Sequence, residues 1–241
     1  MLTRAAFRAS LGGLARRSLA TKSADDVVRR DLRALLRETA QPVAVVTALM
    51  PTEHQEHPAS PSACPSAEHT RFHGATLSSF SSIALDPVPL VAFSLRIPSR
   101  MATSLKACVH GRMVVNVLAA PQAALAVRFS RPDLHAHPFD GVGYRLSAEG
   151  LPVLDGALGA LSCALVARPW PLHDLGSLGK GMHPGDAEWE GEGVASELFI
   201  ARVTRVERVP EDTTQSPLLY HRRSYATTAA IPSDGPPKPR S

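Results

Sequence analysis

Thr76, Ser78, Ser79, Ser81 and Ser82 place five hydroxyls within seven positions, between Gly74 and the apolar run that closes on Pro89-Leu90-Val91. Hydroxyls and free backbone N–H groups at that density can hold an anionic or heteroaromatic ligand. The same residues also suit a serine-rich loop whose side chains bond their own backbone. The chain carries no Ser-His-Asp set, no Walker loop and no dinucleotide glycine fingerprint. Gly176-Ser177-Leu178-Gly179-Lys180-Gly181 lacks the phosphate-loop spacing and a helix to follow it. His54, His57, His69 and Cys64 are near one another, but no pair has helical or finger spacing, so no metal site is expected.

The elements that must position the hydroxyls can be read in order. Asp25 to about Thr39 reads as a helix, with Val28, Leu32, Leu35 and Leu36 at helical spacing and two acids at its start. Val43 to Leu49 is a β-branched apolar run, so a buried strand. Met50 to Arg71, rich in proline, serine and histidine, reads as a surface loop. Strand and turn return over Phe72–Leu85, and Leu90–Leu95 is a further strand. A short helix is expected from Arg100 to about Cys108, then a strand over Arg112–Leu118 with one polar residue, Asn116. Pro121 opens a helix that reaches Phe129. Phe139–Leu154 reads as turn-rich, Gly156–Ala167 as a strand and Arg168–Gly193 as a second long loop. A long strand runs from Leu198 to about Val209, and the proline-rich end from Ile231 reads as disordered. Many short strands with few helices predict a mainly β fold, barrel or sandwich, with peripheral helices.

At 241 residues and 44% hydrophobic, the chain can bury a core, and no apolar run is long enough for a membrane helix. The formal charge of +4 is unevenly placed. Residues 1–23 hold Arg4, Arg8, Arg16, Arg17 and Lys22 with no acid, so +4 less their +5 leaves −1 elsewhere. That near-neutral remainder speaks against nucleic acid as a partner. An acid-free, arginine-rich amphipathic segment has the composition of a mitochondrial transit peptide, and Arg17-Ser18-Leu19-Ala20 resembles a matrix-protease site. The expected division is 1–23 transit peptide, 24–228 folded domain and 229–241 disordered tail, with the mature protein in the mitochondrial matrix. Cys64, Cys108 and Cys163 are odd in number and far apart, which fits a reduced compartment.

The order of residues in the serine segment carries more than its composition. His73-Gly74-Ala75-Thr76-Leu77-Ser78-Ser79-Phe80-Ser81-Ser82-Ile83-Ala84-Leu85-Asp86-Pro87-Val88-Pro89-Leu90-Val91 resembles the flavin-binding segment of the flavin reductase family, departing from its pattern at Ala84 and Val88. Three further stretches follow in the family's order. Arg112–Leu118 with Gln122 and Phe129 is the first. Gly150–Ala157 with Cys163 is the second, and Ser216–Tyr225 (S-P-L-L-Y-H-R-R-S-Y) closes the chain.

The resemblance implies an FMN-binding split β-barrel, a homodimer with flavin near the subunit interface, and NAD(P)H as co-substrate, with FAD in place of FMN left open. It places Thr76, Ser78 and Ser79 along the ribityl chain and ring edge, with Ser81 and Ser82 completing the turn. Ser99 and Arg100, at a helix start, would meet the phosphate, although Met101 stands where the family carries a threonine. It also points to Asn116, Gln122 and Phe129, which read equally well as structural packing. The implied activity is NAD(P)H-dependent reduction of flavin, with hydride passing to flavin N5. One departure bears on it. The family often carries G-D-H before the strand that begins here at Leu198, and this chain has Val194-Ala195-Ser196-Glu197 with no histidine. No catalytic side chain is therefore assigned, and a non-catalytic flavin-binding module serving a mitochondrial partner is the alternative.

Overall fold

The computed structural model describes residues 24–50, 72–108, 111–180, 194–208 and 215–230. Expectations for the 1–23 leader, the 50–71 loop beyond Met50, and the tail from Ile231 therefore lie outside the described residues. The chain divides into two units, 1–38 and 39–241. The first contains α1 (Ala24–Arg37), whose start is acidic at Asp25 and Asp26 and whose residues are all unburied.

The second unit is mainly β. Its strands are β1 (Gln41–Pro42), β2 (Ala44–Leu49), β3 (Phe72–Leu77), β4 (Ser81–Ala84), β5 (Leu90–Ile97), β6 (Arg112–Val117), β7 (Tyr144–Leu146), β8 (Pro152–Leu154), β9 (Gly159–Leu165), β10 (Trp170–Pro171), β11 (Ala195–Arg208), β12 (Leu219–His221) and β13 (Ser224–Ala226). The helices are α2 (Arg100–Ala107), α3 (Ala123–Ser130) and α4 (Leu175–Gly179). Pairing in the main sheet runs β3-β2-β6-β9-β11-β5-β4, with β10 on β11. The sheet curls so that β3, at one end of the order, also approaches β5. This is the split half-barrel expected from the sequence. β11 is the long element that closes it, pairing with β5 over Ala195–Arg202 and with β9 over Ala201–Arg208, with an irregularity between Val203 and Arg205.

Hydrophobic alternation decides which side of each strand looks inward. Along β5, Val91, Phe93, Leu95 and Ile97 are buried while Arg96 is exposed. Inside the barrel these residues meet Val46, Leu77, Met101, Leu105, Met113 and Phe199. Phe93 and Phe199 stand opposite in register and stack, ring centroids 5.4 Å apart and 2° from parallel. A second cluster covers the other face of β2, where Val43, Val45, Phe72, Phe129, Phe139 and Leu218 pack together. Burial on both faces explains why β2 is an unbroken apolar run.

Two expectations need correction. Phe139–Leu154 is not only turns: β7 and β8 form a hairpin there, pairing Tyr144 with Leu154 and Leu146 with Pro152. Three-residue strands around a glycine turn are too short to show a period of two. The Arg168–Gly193 stretch likewise contains β10 and α4 in its described part. The helix expected to open at Pro121 begins as a 3-10 turn, Ala120–Gln122, that leads into α3.

Candidate functional site

β3 has no strand partner on its outer edge among the described residues, and a cleft of about 880 Å³ runs along that edge toward β5. Its wall is supplied by β3 and Ser78-Ser79 on one side and by Ser94, Leu95 and Arg96 of β5 on the other. The N-terminus of α2, the end of α3, Ser196 of β11, and Tyr220 and Tyr225 of the last hairpin complete it. Hydroxyls and the Arg96 and Arg100 guanidiniums thus share the cleft with apolar residues Val43, Leu77, Leu95 and Met101. A mixed concave site of this size suits an organic ligand with one polar and one flat apolar part.

Each candidate from the sequence has a definite place. Thr76 lines the cleft, but its Oγ1 donates to the Ala126 carbonyl at 2.7 Å and ties β3 to α3. The Ser79 hydroxyl is engaged twice, accepting from Ser94 N at 2.9 Å and donating to Ser94 O at 3.2 Å. It thereby fastens the serine turn to β5. Ser78 is exposed and lines the cleft. Ser99 is the N-cap of α2, its Oγ accepting from Ala102 N at 3.2 Å, and Arg100 follows it as an exposed cleft residue. Phe129 reaches the cleft from α3, with its ring against Gly74 and edge-on to Phe139.

Four candidates are not brought to the cleft. Ser81 and Ser82 lie on β4, exposed, and the Ser81 hydroxyl donates to the Ser82 carbonyl. Asn116 is fully buried. Its Nδ2 donates to Val45 O at 3.2 Å and to Thr47 Oγ1 at 3.4 Å, and its Oδ1 accepts from Leu154 N at 2.8 Å. Gln122 accepts from Ala119 N through Oε1 and donates to Asp155 O through Nε2. Both amides clamp distant backbone segments, Asn116 as a buried polar group must. The resemblance pointed to them; their partners, 38 and 33 residues away for Leu154 and Asp155, were invisible in the local pattern.

The cleft also holds residues that the motif reading passed over: His73, Ser94, Arg96, Ser196, Tyr220 and Tyr225. His73 sits on β3 in phase with Ala75 and Leu77, so its ring turns toward the barrel interior, where it is 6% exposed. Burial, and secondarily the nearby Arg100 charge, lower its pKa to about 4, so the imidazole is neutral at physiological pH. The two-residue period of β3 and β5 is the signal that could have found His73, Ser94 and Arg96. Ser196 stands on the wall in the segment that lacks the family's histidine. Burial, and then the neighbouring Tyr220, raise the Tyr225 phenol above its ordinary range. Burial pushes the Cys163 thiol up to about 12 and also raises that of Cys108, so neither is a ready nucleophile. No group of three potential metal ligands occurs among the described residues, and none of the helices among them is long and apolar enough to cross a membrane.

Residues 36–229 match the family described as flavin reductase like domain. The chain is 32% identical over 217 residues to a flavin reductase of Pseudomonas putida, covering 88% of this chain and 99% of that one. A shorter match, 34% over 103 residues, links it to FMN reductase (NADH) SmoA of Agrobacterium fabrum, covering 43% and 53% of the two chains. Among solved structures, the styrene monooxygenase flavin reductase SMOB of Pseudomonas putida S12 superposes with a TM-score of 0.57 at 28% identity, covering 83% of this chain and 99% of that one.

Proposed function

The chain belongs to the family of flavin reductase like domains, and we propose that its cleft is where flavin and reduced nicotinamide meet. The protein is an NAD(P)H-dependent flavin reductase. The cleft along the free edge of β3 is the observation that carries the assignment of the site. It combines an apolar wall for a ring system, hydroxyls for polar ring and chain atoms, and a cation at a capped helix start for a phosphate. The residues present therefore fit a flavin mononucleotide.

When bound, flavin supplies the redox chemistry, accepting hydride from reduced nicotinamide at N5. This chain's residues supply position. Arg100 and the α2 N-terminus would hold the phosphate, and the Ser78 hydroxyl would bond a polar flavin atom. Ser79 works indirectly, by holding the turn against β5. Val43, Leu77 and Met101 would give the flavin ring an apolar, water-poor wall. Hydride transfer demands no protein acid or base, so a cleft wall of hydroxyls with Ser196 in place of a histidine remains competent. For that reason, and because the relatives are named as reductases, the non-catalytic module is set aside.

Three finer readings complete the proposal. FMN is the flavin, supported by the capped helix start at Ser99 and Arg100, which suits one phosphate group. The working unit is a homodimer, supported by β4, an end strand whose Ile83 and neighbouring Leu85 are 51% and 73% exposed. The compartment is the mitochondrial matrix, supported by the acid-free basic composition of residues 1–23.

The test is the absorption spectrum of the purified protein with added FMN, followed by anaerobic NADH. A flavin spectrum that bleaches is expected. Protein that fails to bind FMN would overturn the assignment of the cleft. Light scattering on the same sample measures the mass, and a monomer would remove the dimer.

A further inference from the structure

We propose that the β12–β13 hairpin is an arm that binds the adenosine diphosphate portion of a dinucleotide, NAD(P)H or FAD. The inference rests on the flavin reductase reading and deepens it. The first observation is the turn. Tyr220 pairs with Tyr225 and His221 with Ser224, which leaves Arg222 and Arg223 alone to reverse the chain. Their φ values are 50° and 64°, and among the described residues they are the only non-glycine residues with positive φ. A two-residue turn of that hand favours Asn-Gly, because side chains with a full Cβ and stem are strained there. Two consecutive arginines are thus kept in a place where the backbone disfavours both. Such outliers are retained where a function needs the side chains.

The second observation is what the arms of the hairpin carry. Tyr220 and Tyr225 face each other across the strands, ring centroids 5.6 Å apart at 66°, and both line the cleft. An aromatic pair gives a flat heterocycle a stacking surface. The arginines at the tip, both exposed, follow Tyr220 directly through His221. A purine on the tyrosines would therefore have guanidinium groups within reach of the phosphates joined to its ribose, and guanidinium binds phosphate through paired N–H donors. Among the described residues lining the cleft the acidic one is Asp133, and it is paired with Arg131 at 2.8 Å.

The third observation is room. The cleft has its own phosphate end at Ser99 and Arg100, on elements separate from the hairpin. At about 880 Å³ it lies near the top of the usual range for small-molecule sites. Arg222 and Arg223 are not among the residues lining it but stand at the tip of the hairpin whose tyrosines are, a place for phosphates of an adenylate half separate from the Ser99–Arg100 end.

The test replaces the turn by its preferred residues, Arg222→Asn with Arg223→Gly, in the full chain. This keeps the turn and removes both guanidiniums. Wild-type protein is first titrated with FMN and with ADP. Failure to bind FMN would sink the flavin reading, whereas FMN binding with no ADP binding overturns only the hairpin proposal. In the variant, the melting temperature is expected to hold or rise, while ADP affinity falls at least about tenfold relative to FMN affinity. The source of the adenylate is then read from two ratios. A rise in the KM for NADH but not for reduced nicotinamide mononucleotide identifies the nicotinamide dinucleotide. A loss of FAD affinity but not FMN affinity identifies the flavin dinucleotide. Unchanged ADP affinity, or equal losses for ADP and FMN, overturns the proposal.

Discussion

Ser78 and Ser79 are neighbours of the same type, and the structure gives them separate work that single substitutions can tell apart. The Ser79 hydroxyl makes two hydrogen bonds with Ser94 backbone groups, at 2.9 and 3.2 Å, and Ser78 offers an exposed hydroxyl to the cleft. Ser79→Ala deletes both bonds. At about 0.5–1.5 kcal/mol for each, and with Ser94 only half-buried so that water replaces part of the loss, the expected cost is about 1.5 kcal/mol. For a folded unit of this size that lowers the melting temperature by roughly 3–6 °C. Ser78→Ala removes no bond within the protein, so its melting temperature should stay within about 2 °C of the parent. Its effect belongs to the ligand: one lost bond to FMN weakens binding about 2- to 13-fold. The assay is a thermal melt of each apoprotein followed by a fluorescence titration with FMN. Equal losses of stability in the two variants, or FMN affinity untouched in Ser78→Ala, would refute the division of labour.

His73 makes stability depend on acid. Its folded pKa of about 4 lies below the ordinary 6.5, so the unfolded chain takes up the proton first as pH falls. Its contribution is fully present above pH 6.5 and is lost progressively toward pH 4, amounting to about 2 kcal/mol at pH 5. Denaturant melts at pH 7 and pH 5 should show that difference shrink in His73→Gln, and an unchanged difference would contradict the buried neutral imidazole. Asn116→Leu strands Leu154 N in the core and should cost about 3 kcal/mol while leaving the FMN affinity of the folded fraction intact. A large affinity loss without destabilisation would return Asn116 to the site. Cys163, its pKa near 12, should remain unmodified when folded protein is treated with a thiol reagent at pH 8, as peptide mapping would read.

What could be read before any coordinates depended on how far apart the interacting residues are. The strands β2, β5 and β11 were plain because an apolar run or alternation records burial residue by residue. The serine turn and the Ser99–Arg100 helix start were also plain, since a cap and a turn are local chemistry. The β7–β8 hairpin was missed because three-residue strands leave no period. Asn116 and Gln122 were placed in the site through the family resemblance, and their backbone partners arrive only with the fold. Ser81 and Ser82 shared the motif but fall past the turn on β4, beyond the cleft. His73, conversely, stood within the quoted motif, and its inward phase is set by the same alternation that buries Leu77.

The contact between Gly74 and Phe129 constrains how this chain can diversify. A methyl group at position 74 would come within 2.6 Å of two ring atoms of Phe129, a distance neither β3 nor a ring edge-on to Phe139 can yield to easily. The two positions are therefore one inherited unit, and a lineage must cross between alternatives in a fixed order. Phe129 has to shrink first, for instance to leucine, at the expense of some core packing. Only afterwards can residue 74 acquire a side chain, which then refills the space left by the ring. The reverse order passes through a clash on the cleft wall itself. Selection on the ligand site thus reaches an apolar contact that never touches a polar atom of any ligand, and it does so through sign epistasis between a strand and a helix more than fifty residues apart.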